Sequence, residues 1–274
     1  MSGDDLAGRS LQQLLSLAGR HAVITGGARG IGLAIARRLA EAGAEILIGD
    51  RNAKAAAEAA AGLEREFRVR ALAEALDVCD ASSVAHLAEV AQQKFGGIQI
   101  WVNNAGIYPP RTLLETSNEE WDQVQDTNLK GVFLGCREAG RRMAEAKSGV
   151  IINITSVSGY RGRPAMAHYV ASKHGVDGLT KALATELGPQ GVRVVAVSPA
   201  LTDTPGYSES MSRAGGGATQ QSYQELHARL RALVPLGRIG QPDDVARAVL
   251  FAASDLAAFV TGTTIFADGG VSVF

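Results

Sequence analysis

Short apolar runs of strand length alternate along this chain with longer segments in which apolar residues recur at helical spacing. The pattern predicts strands at 21–24, 45–49, 69–76, 98–102, 150–154 and 192–197, and helices at 31–42, 53–66, 82–95, 119–145 and 167–187. Strands that alternate with helices favour a parallel sheet covered by helices on both faces. We therefore predict an α/β fold, a doubly wound parallel sheet that forms a single domain over residues 20–274.

The pattern changes after Pro199. Residues 202–220 are rich in Gly, Ser and Thr, and we predict a substrate loop over about 202–235 that includes a helix at 221–233. A helix at 242–253 and a strand at 264–267 complete the chain. Residues 1–19 are an N-terminal extension, in which 11–17 are either a short amphipathic helix packed on the body or a disordered leader.

Composition restricts the class of partner. The 274 residues are 46% hydrophobic, and 27 Lys and Arg balance 28 Asp and Glu. A balanced charge does not favour nucleic acid or an anionic membrane, so we expect a small-molecule partner. Cys79 and Cys136 lie far apart and the five His residues are scattered, so we predict no metal site. The first residues lack a basic, apolar signal segment, and we expect a cytoplasmic protein.

A glycine-rich turn follows the first predicted strand and opens the first long helix. It runs from Thr25 to Gly32 with glycines at 26, 27, 30 and 32. Glycines at such a junction allow close approach of a pyrophosphate, and the helix N-terminus offers N–H donors to it. We predict that Gly26, Arg29, Gly30, Ile31 and Gly32 bind a dinucleotide. A glycine-rich turn without a ligand is the alternative, because the spacing differs from GxGxxG.

Asp50 ends the second predicted strand, 24 residues after Gly26. An acidic side chain at this position can accept hydrogen bonds from an adenosine ribose and repels a 2′-phosphate. We therefore predict NAD as cofactor, with NADP less favoured. Arg29 and Arg51 keep NADP open because either could pair with a phosphate, and a solvated turn residue is the other interpretation of Asp50.

Two further runs follow strands at the edge where ligands bind in open α/β sheets. Asp77 and Val78 follow the third strand, and Asn103-Asn104-Ala105-Gly106 follows the fourth. We predict that Asp77, Val78, Asn104, Ala105 and Gly106 contact the cofactor. For either run alone, ordinary turn chemistry is an equal alternative.

Tyr169 and Lys173 lie four residues apart in a predicted helix, which places both side chains on one face. A phenol beside an ammonium is a potential acid/base pair, because a positive charge favours the phenolate and lowers the pKa of the tyrosine. For the pair in isolation, a half-buried tyrosine with a solvated lysine is the alternative.

Together these motifs resemble the short-chain dehydrogenase/reductase family, from about residue 20 to the C-terminus. The resemblance rests on the order and spacing of Thr25 to Gly32, Asp77, Asn103 to Gly106, Asn128, Ser156, Tyr169 and Lys173. Ser156 precedes Tyr169 by 13 residues, as in the family, and this spacing favours it over Ser158. Membership would imply a Rossmann-type fold.

The resemblance also implies a catalytic role for each of four residues. Tyr169 would exchange a proton with the substrate oxygen, and Ser156 would hydrogen-bond that oxygen. Lys173 would lower the pKa of Tyr169 and bind the nicotinamide ribose. Asn128 would connect Lys173 to a proton relay through its helix backbone and a water.

On this resemblance the protein would be an NAD(H)-dependent oxidoreductase that interconverts a secondary alcohol and a ketone. Pro199, Thr202 and Thr204 resemble the segment that borders the nicotinamide, although Ser198-Pro199-Ala200 replaces the usual Asn-Pro-Gly. Family members commonly form homotetramers, which we expect here. The alternatives are an NADPH-dependent 3-oxoacyl-thioester reductase and a non-catalytic dinucleotide-binding protein.

Overall fold

The computed structural model describes residues 6–206 and 228–273. Seven parallel strands form one sheet in the order β3-β2-β1-β4-β5-β6-β7. The strands are β1 His21–Thr25, β2 Glu45–Asp50, β3 Ala71–Ala75, β4 Ile100–Asn103, β5 Gly149–Ile154, β6 Val192–Pro199 and β7 Thr264–Ala267. The strand order reverses between β1 and β4, which is where ligands bind in sheets of this kind. The predicted doubly wound parallel sheet is confirmed.

The helices follow the predicted alternation. They are α1 Leu11–Leu15, α2 Gly30–Glu41, α3 Ala53–Phe67, α4 Ala81–Phe95, α5 Asn118–Gln125, α6 Gly131–Ala146, α7 Ala167–Leu187 and α8 Pro242–Ala253. The predicted single helix at 119–145 is wrong in one respect, because a π-helical turn at Asp126–Lys130 separates α5 from α6. The chain stays helical through this turn, so the spacing of apolar residues along the sequence does not distinguish it from an uninterrupted α-helix.

Two apolar layers enclose the sheet. On one face α2, α3 and α8 pack against strand residues such as Ile24, Ile46 and Ile152. On the other face α4, α6 and α7 pack against their sequence neighbours, such as Leu47 and Ile151. Successive strand residues point to opposite faces, and both faces are covered, so the central strands are nearly continuous buried apolar runs. The edge strands β3 and β7 are only partly buried.

The N-terminal extension packs on the body, the first of the two alternatives. Ser10 and Gln13 form a capping box that begins α1. Leu17 is fully buried, and its N–H donates to the Ala42 carbonyl at 2.8 Å. The predicted loop at 202–220 and helix at 221–233 lie partly outside the described residues, which stop at 206 and resume at 228. In these two described ranges, no helix is long and apolar enough to cross a membrane.

A buried polar network ties the two central strands to α6 and α7. Trp101 Nε1 donates to Asn103 Oδ1 at 2.8 Å, and Asn103 Nδ2 donates to Asn153 Oδ1 at 2.9 Å. Asn153 Nδ2 then donates to Thr180 Oγ1 at 3.0 Å. Gly135 of α6 lies against this network, and a Cβ there would overlap Asn103 Oδ1. The network therefore requires a glycine on the facing helix.

We predict opposite effects for alanine at two helical glycines. Gly135→Ala should lower the free energy of unfolding by about 2 kcal/mol or more, because the methyl group displaces a buried polar network. Gly62→Ala in α3, where a Cβ meets nothing within 4 Å, should raise it by about 0.5 to 1 kcal/mol. Urea denaturation of both variants measures the two values, and equal effects would contradict this account.

Candidate active site

The glycine-rich turn is compact because its glycines take conformations and close contacts that other residues cannot. Gly26 and Gly30 have φ of 64° and 58°. A Cβ on Gly26 would lie 2.9 Å from the Ala105 Cα, and one on Gly32 would overlap the Gly26 carbonyl oxygen. Since α2 begins at Gly30, its N-terminal N–H groups lie at this turn. The geometry fits a bound pyrophosphate.

Thr25 and Asn104 fasten this turn to the end of β4. The Thr25 hydroxyl accepts from the N–H groups of Asn104 and Ala105, at 3.0 and 3.1 Å. Asn104 Nδ2 donates to the carbonyls of Thr25 and Gly26, at 3.0 and 2.9 Å. Asn104 and Ala105 thus shape the predicted cofactor site, and Gly106 follows them in sequence. Thr25 belongs to the motif identified in the sequence, but the sequence did not indicate that its hydroxyl bonds the end of β4.

Asp50 reaches the same turn from β2. Its Oδ2 accepts from the Ala28 N–H at 3.1 Å, and its Oδ1 accepts from the Asn52 N–H at 3.0 Å. The carboxylate is therefore fixed at the glycine turn, where it can face an adenosine ribose. Arg29, the N-cap residue of α2, is exposed beside it.

A cleft of about 250 Å³ continues from Asp50 along the strand ends. It is lined by Arg51, Ala75, Leu76, Asp77 and Ser83. Asp77 Oδ1 accepts from the Cys79 N–H at 3.0 Å, and Val78 between them is buried. The structure thus brings Arg51 and Asp77 to one cleft, whereas Val78 is buried next to it and does not line it.

Tyr169 and Lys173 share one face of α7, as their spacing predicts. Tyr169 is half-buried, and its phenol lies close enough to the Ser156 hydroxyl for the two groups to interact. The Ser156 hydroxyl accepts from the Ser158 N–H at 3.2 Å. Lys173 is buried, and its Nζ lies 5.7 Å from the centre of the Tyr169 ring. Nζ donates to the Ile154 carbonyl at 2.8 Å. The structure therefore brings Ser156, Tyr169 and Lys173 together.

Burial dominates the titration of both groups. It raises the pKa of Tyr169, and the Ser156 hydrogen bond and the nearby Arg163 guanidinium only partly oppose it. This direction is opposite to the sequence-based expectation, because removal of the phenolate from water outweighs the groups that favour it. Burial also lowers the pKa of Lys173 to about 8, and the Asp177 carboxylate opposes that shift.

Asn128 joins the site to the loop after β4. Its Oδ1 accepts from the Ile107 N–H and its Nδ2 donates to the Ile107 carbonyl, both at 2.8 Å. Nδ2 also lies 3.3 Å from the Ser172 hydroxyl, which donates to the Tyr169 carbonyl at 2.7 Å. The side chain of Asn128 therefore ties this loop to the helix of Tyr169. The π-helical turn places it there.

The segment after β6 returns over the glycine turn. Pro199 ends β6, and the buried Thr202 hydroxyl donates to the Ala200 carbonyl at 3.0 Å. The side chain of Thr204 lies 3.7 Å from the position of a Cβ on Gly30. The segment thus borders the predicted cofactor site despite the replacement of Asn-Pro-Gly.

In the part of the chain that is described, no group of three or more His, Cys, Asp or Glu side chains is placed to hold a metal ion. Arg161, beside the site in sequence, donates to the Val271 carbonyl at 2.9 Å. His168 is buried beside Tyr169, and Gln125 Nε2 donates to its carbonyl at 2.8 Å.

The site is thus a glycine turn with a fixed carboxylate, next to a tyrosine, a serine and a buried lysine.

Comparison with known proteins supports this description. The profile of a family described as enoyl-(acyl carrier protein) reductase matches residues 26–272. 3beta-Hydroxysteroid dehydrogenase 1 of Eggerthella lenta is 39% identical over 94% of this chain and 95% of its own length. 3-Oxoacyl-[acyl-carrier-protein] reductase FabG of Staphylococcus aureus is also 39% identical, over 92% of this chain and 98% of its own.

A solved structure resembles the whole fold. The gluconate 5-dehydrogenase of Burkholderia cenocepacia, in complex with NADP and tartrate, is 35% identical, with a TM-score of 0.87 over 97% of this chain and 100% of its own. The chain belongs to the short-chain dehydrogenase/reductase family, whose members are dinucleotide-dependent oxidoreductases.

Lys173 should reduce stability at neutral pH. The fall of its pKa from 10.5 to about 8 corresponds to roughly 3 kcal/mol of destabilisation. Lys173→Met also loses the hydrogen bond to Ile154, so we expect a net gain of about 2 kcal/mol near neutral pH. Between about pH 8 and pH 10.5 the unfolded chain binds more protons than the folded chain, so the stability of the wild type rises with pH over this range. Denaturant titrations should therefore show the advantage of the variant disappearing by about pH 10; a constant advantage would contradict it.

Proposed function

We propose that this protein is an NAD(H)-dependent oxidoreductase that interconverts a secondary alcohol and a ketone. The observation that carries the proposal is the half-buried phenol of Tyr169, which lies beside the Ser156 hydroxyl and above the buried Lys173. These groups lie at the carboxyl edge of the sheet, where the glycine turn and Asp50 fit a dinucleotide. A phenol and a hydroxyl at one point suit a carbonyl oxygen or its alcohol.

The nicotinamide supplies the hydride chemistry, and the residues of this chain supply proton transfer and orientation. Ser156 donates a hydrogen bond that holds the substrate oxygen. Tyr169 gives its proton to that oxygen during reduction and takes it back during oxidation. Because burial raises its pKa, the phenol is protonated near neutral pH, which favours reduction there and oxidation at higher pH.

Removal of one hydroxyl tests this role. We expect Tyr169→Phe to lower kcat by at least about 100-fold, because the substrate oxygen loses its proton donor. Tyr160→Phe is the matched control: Tyr160 is exposed and packs edge-on against Phe266, 4.7 Å between ring centres. NADH absorbance with a panel of alcohols and ketones reports turnover. Turnover by Tyr169→Phe equal to that of the control would overturn the mechanism.

Preference for NAD rests on Asp50. Its carboxylate is held at the glycine turn by two backbone N–H groups and would repel a 2′-phosphate. The NADP-bound structure of the gluconate 5-dehydrogenase shows that a relative accepts NADP. Arg29 and Arg51 of this chain lie near enough to Asp50 in sequence to support such a switch once the carboxylate is removed.

Two variants separate the charge of Asp50 from its hydrogen bonds. Asp50→Asn keeps an acceptor oxygen and removes the charge, whereas Asp50→Ala removes both. We expect both variants to raise kcat/KM with NADP relative to NAD by about tenfold or more, because the repulsion of a 2′-phosphate is lost. Asp50→Ala should lose more stability than Asp50→Asn, since alanine leaves both the Ala28 and the Asn52 N–H groups without an acceptor, whereas the asparagine amide keeps one acceptor oxygen. A several-fold preference of the unmodified protein for NADP would show this assignment to be wrong.

The second candidate is an NADPH-dependent 3-oxoacyl-thioester reductase. The Staphylococcus aureus relative favours it, because that protein is a 3-oxoacyl-[acyl-carrier-protein] reductase. Asp50 weighs against it, since NADPH carries the 2′-phosphate that a carboxylate repels. A panel with acetoacetyl thioester and NADPH in one arm, and hydroxysteroids and sugar acids with NAD in the other, decides between the two. A non-catalytic binding protein would bind nucleotide with no turnover in either arm.

We extend the proposal to a homotetramer in the cytoplasm. Trp121 of α5 and Phe133 of α6 are large apolar side chains that are 39% and 45% exposed, on the long helices where the family resemblance implies subunit contacts. Light scattering coupled to size-exclusion chromatography measures the mass in solution, and a mass of four subunits is the expected result for the homotetramer.

A further inference from the structure

We propose that Asp177 is a positioning residue for the reaction, because its buried carboxylate, one helical turn beyond Lys173, keeps the Lys173 ammonium charged. The kinetic part of this inference rests on the proposed function, and the electrostatic part does not. Asp177 was not among the residues predicted from the sequence. The available signal was an acidic residue four positions after Lys173, on a helix face that is otherwise buried.

The two groups are buried opposite charges on one face of α7. Lys173 is 5% exposed and Asp177 is 4% exposed. Neither forms an ion pair within 4 Å with any residue described, and Lys173 Nζ donates instead to the Ile154 carbonyl. A buried charge is strongly disfavoured unless another charge or hydrogen bonds compensate for it. Asp177 is therefore the negative charge that acts on Lys173, while Lys181, His174 and Lys173 all act on Asp177.

The surroundings of Asp177 are built to hold a carboxylate. The Thr264 hydroxyl of β7 donates to Oδ1 at 3.0 Å. Oδ2 is buried and has no hydrogen-bond partner among the described residues. Gly159 makes room for this oxygen, because a Cβ at that position would overlap Oδ2. Two separate elements thus accommodate a group that contributes little to packing.

The electrostatic effects are reciprocal. Burial lowers the pKa of Lys173, and Asp177 raises it. Burial raises the pKa of Asp177, and Lys181, His174 and Lys173 lower it. Lys181 and His174 also belong to α7, whereas Thr264 of β7 and Gly159, which lie against the Asp177 carboxylate, are uncharged. Charges in a low-dielectric interior interact strongly, so the effect does not need direct contact.

The consequence for the reaction follows from the position of Lys173 beneath Tyr169. With Asp177 charged, Lys173 keeps its proton to higher pH and presents a cation to the tyrosine and the ribose. Without that charge, Lys173 loses its proton at lower pH. The alkaline limb of the pH–rate profile then shifts to lower pH, and the rate near neutral pH changes less.

The first test measures Lys173 directly and needs no substrate. Protein carrying ¹³C-labelled lysine is titrated by NMR, with the Lys173 signal assigned by its loss in Lys173→Arg. We expect the Lys173 midpoint to fall by about one pH unit in Asp177→Asn, the lower end of shifts caused by a neighbouring opposite charge. Asp177→Ser removes the same charge with a smaller side chain and should give the same shift, which keeps the test valid if one variant does not fold.

Thr264→Val is the matched control, because it removes the hydrogen bond to Asp177 and keeps the carboxylate. Its Lys173 midpoint should stay within a few tenths of a unit of wild type, even where its melting temperature falls. An unchanged midpoint in both Asp177 variants would overturn the proposal. So would a shift in Thr264→Val as large as that in Asp177→Asn.

The second test uses turnover. In Asp177→Asn the alkaline limb of the kcat/KM profile should shift to lower pH by about one pH unit, as the Lys173 midpoint does. At pH values above the wild-type midpoint, kcat/KM should therefore be about tenfold lower than in wild type. A purely structural role would lower the whole profile and leave its limbs in place, and that result would overturn the proposal. Absence of turnover by the wild type on every substrate would contradict the proposed function, while the NMR midpoints would still decide the role of Asp177.

Discussion

The pairing of β1 with β4 is the constraint on which the site depends. These two strands lie in parallel register, Val23 opposite Trp101, at the point where the strand order reverses. Helices leave the sheet on opposite faces from this point, so a crevice opens between the chain segments that follow the two strands. Thr25 and Asn104 bond these segments to each other, and the glycine turn takes its shape from that contact.

A second constraint fixes α7 relative to this crevice. Asn128 bonds both backbone groups of Ile107 after β4, and it also contacts Ser172 on the helix that carries Tyr169. The π-helical turn is what aims Asn128 inward, since one additional residue per turn rotates the following side chains. The cofactor side and the proton-transfer side of the site are therefore joined through a single buried amide.

Sequence patterns predicted most of the fold because the central strands are apolar on both faces and the helices between them have separate apolar stripes. The bounds predicted for α7, α8 and β7 agree with the structure, and the motifs placed Ser156, Tyr169 and Lys173 together. The π-helical turn escaped prediction because one added residue scarcely alters apolar spacing over a long helix. The direction of the Tyr169 pKa shift escaped it because burial depends on side chains that are distant in sequence.

Burial of the lysine connects stability with function. An ammonium that is 5% exposed is kept at the expense of folding free energy, and a methionine of similar shape would fill the same space without a charge. A site optimised for stability alone would not hold this group, nor a carboxylate one turn away with an oxygen that has no hydrogen-bond partner among residues 6–206 and 228–273. Groups that violate the rules of burial are expected where a reaction needs them. The two violations lie on one helix face, next to the tyrosine, and carry opposite charges. Each charge therefore reduces the cost of burying the other, and both are explained if the chemistry at Tyr169 requires the cation.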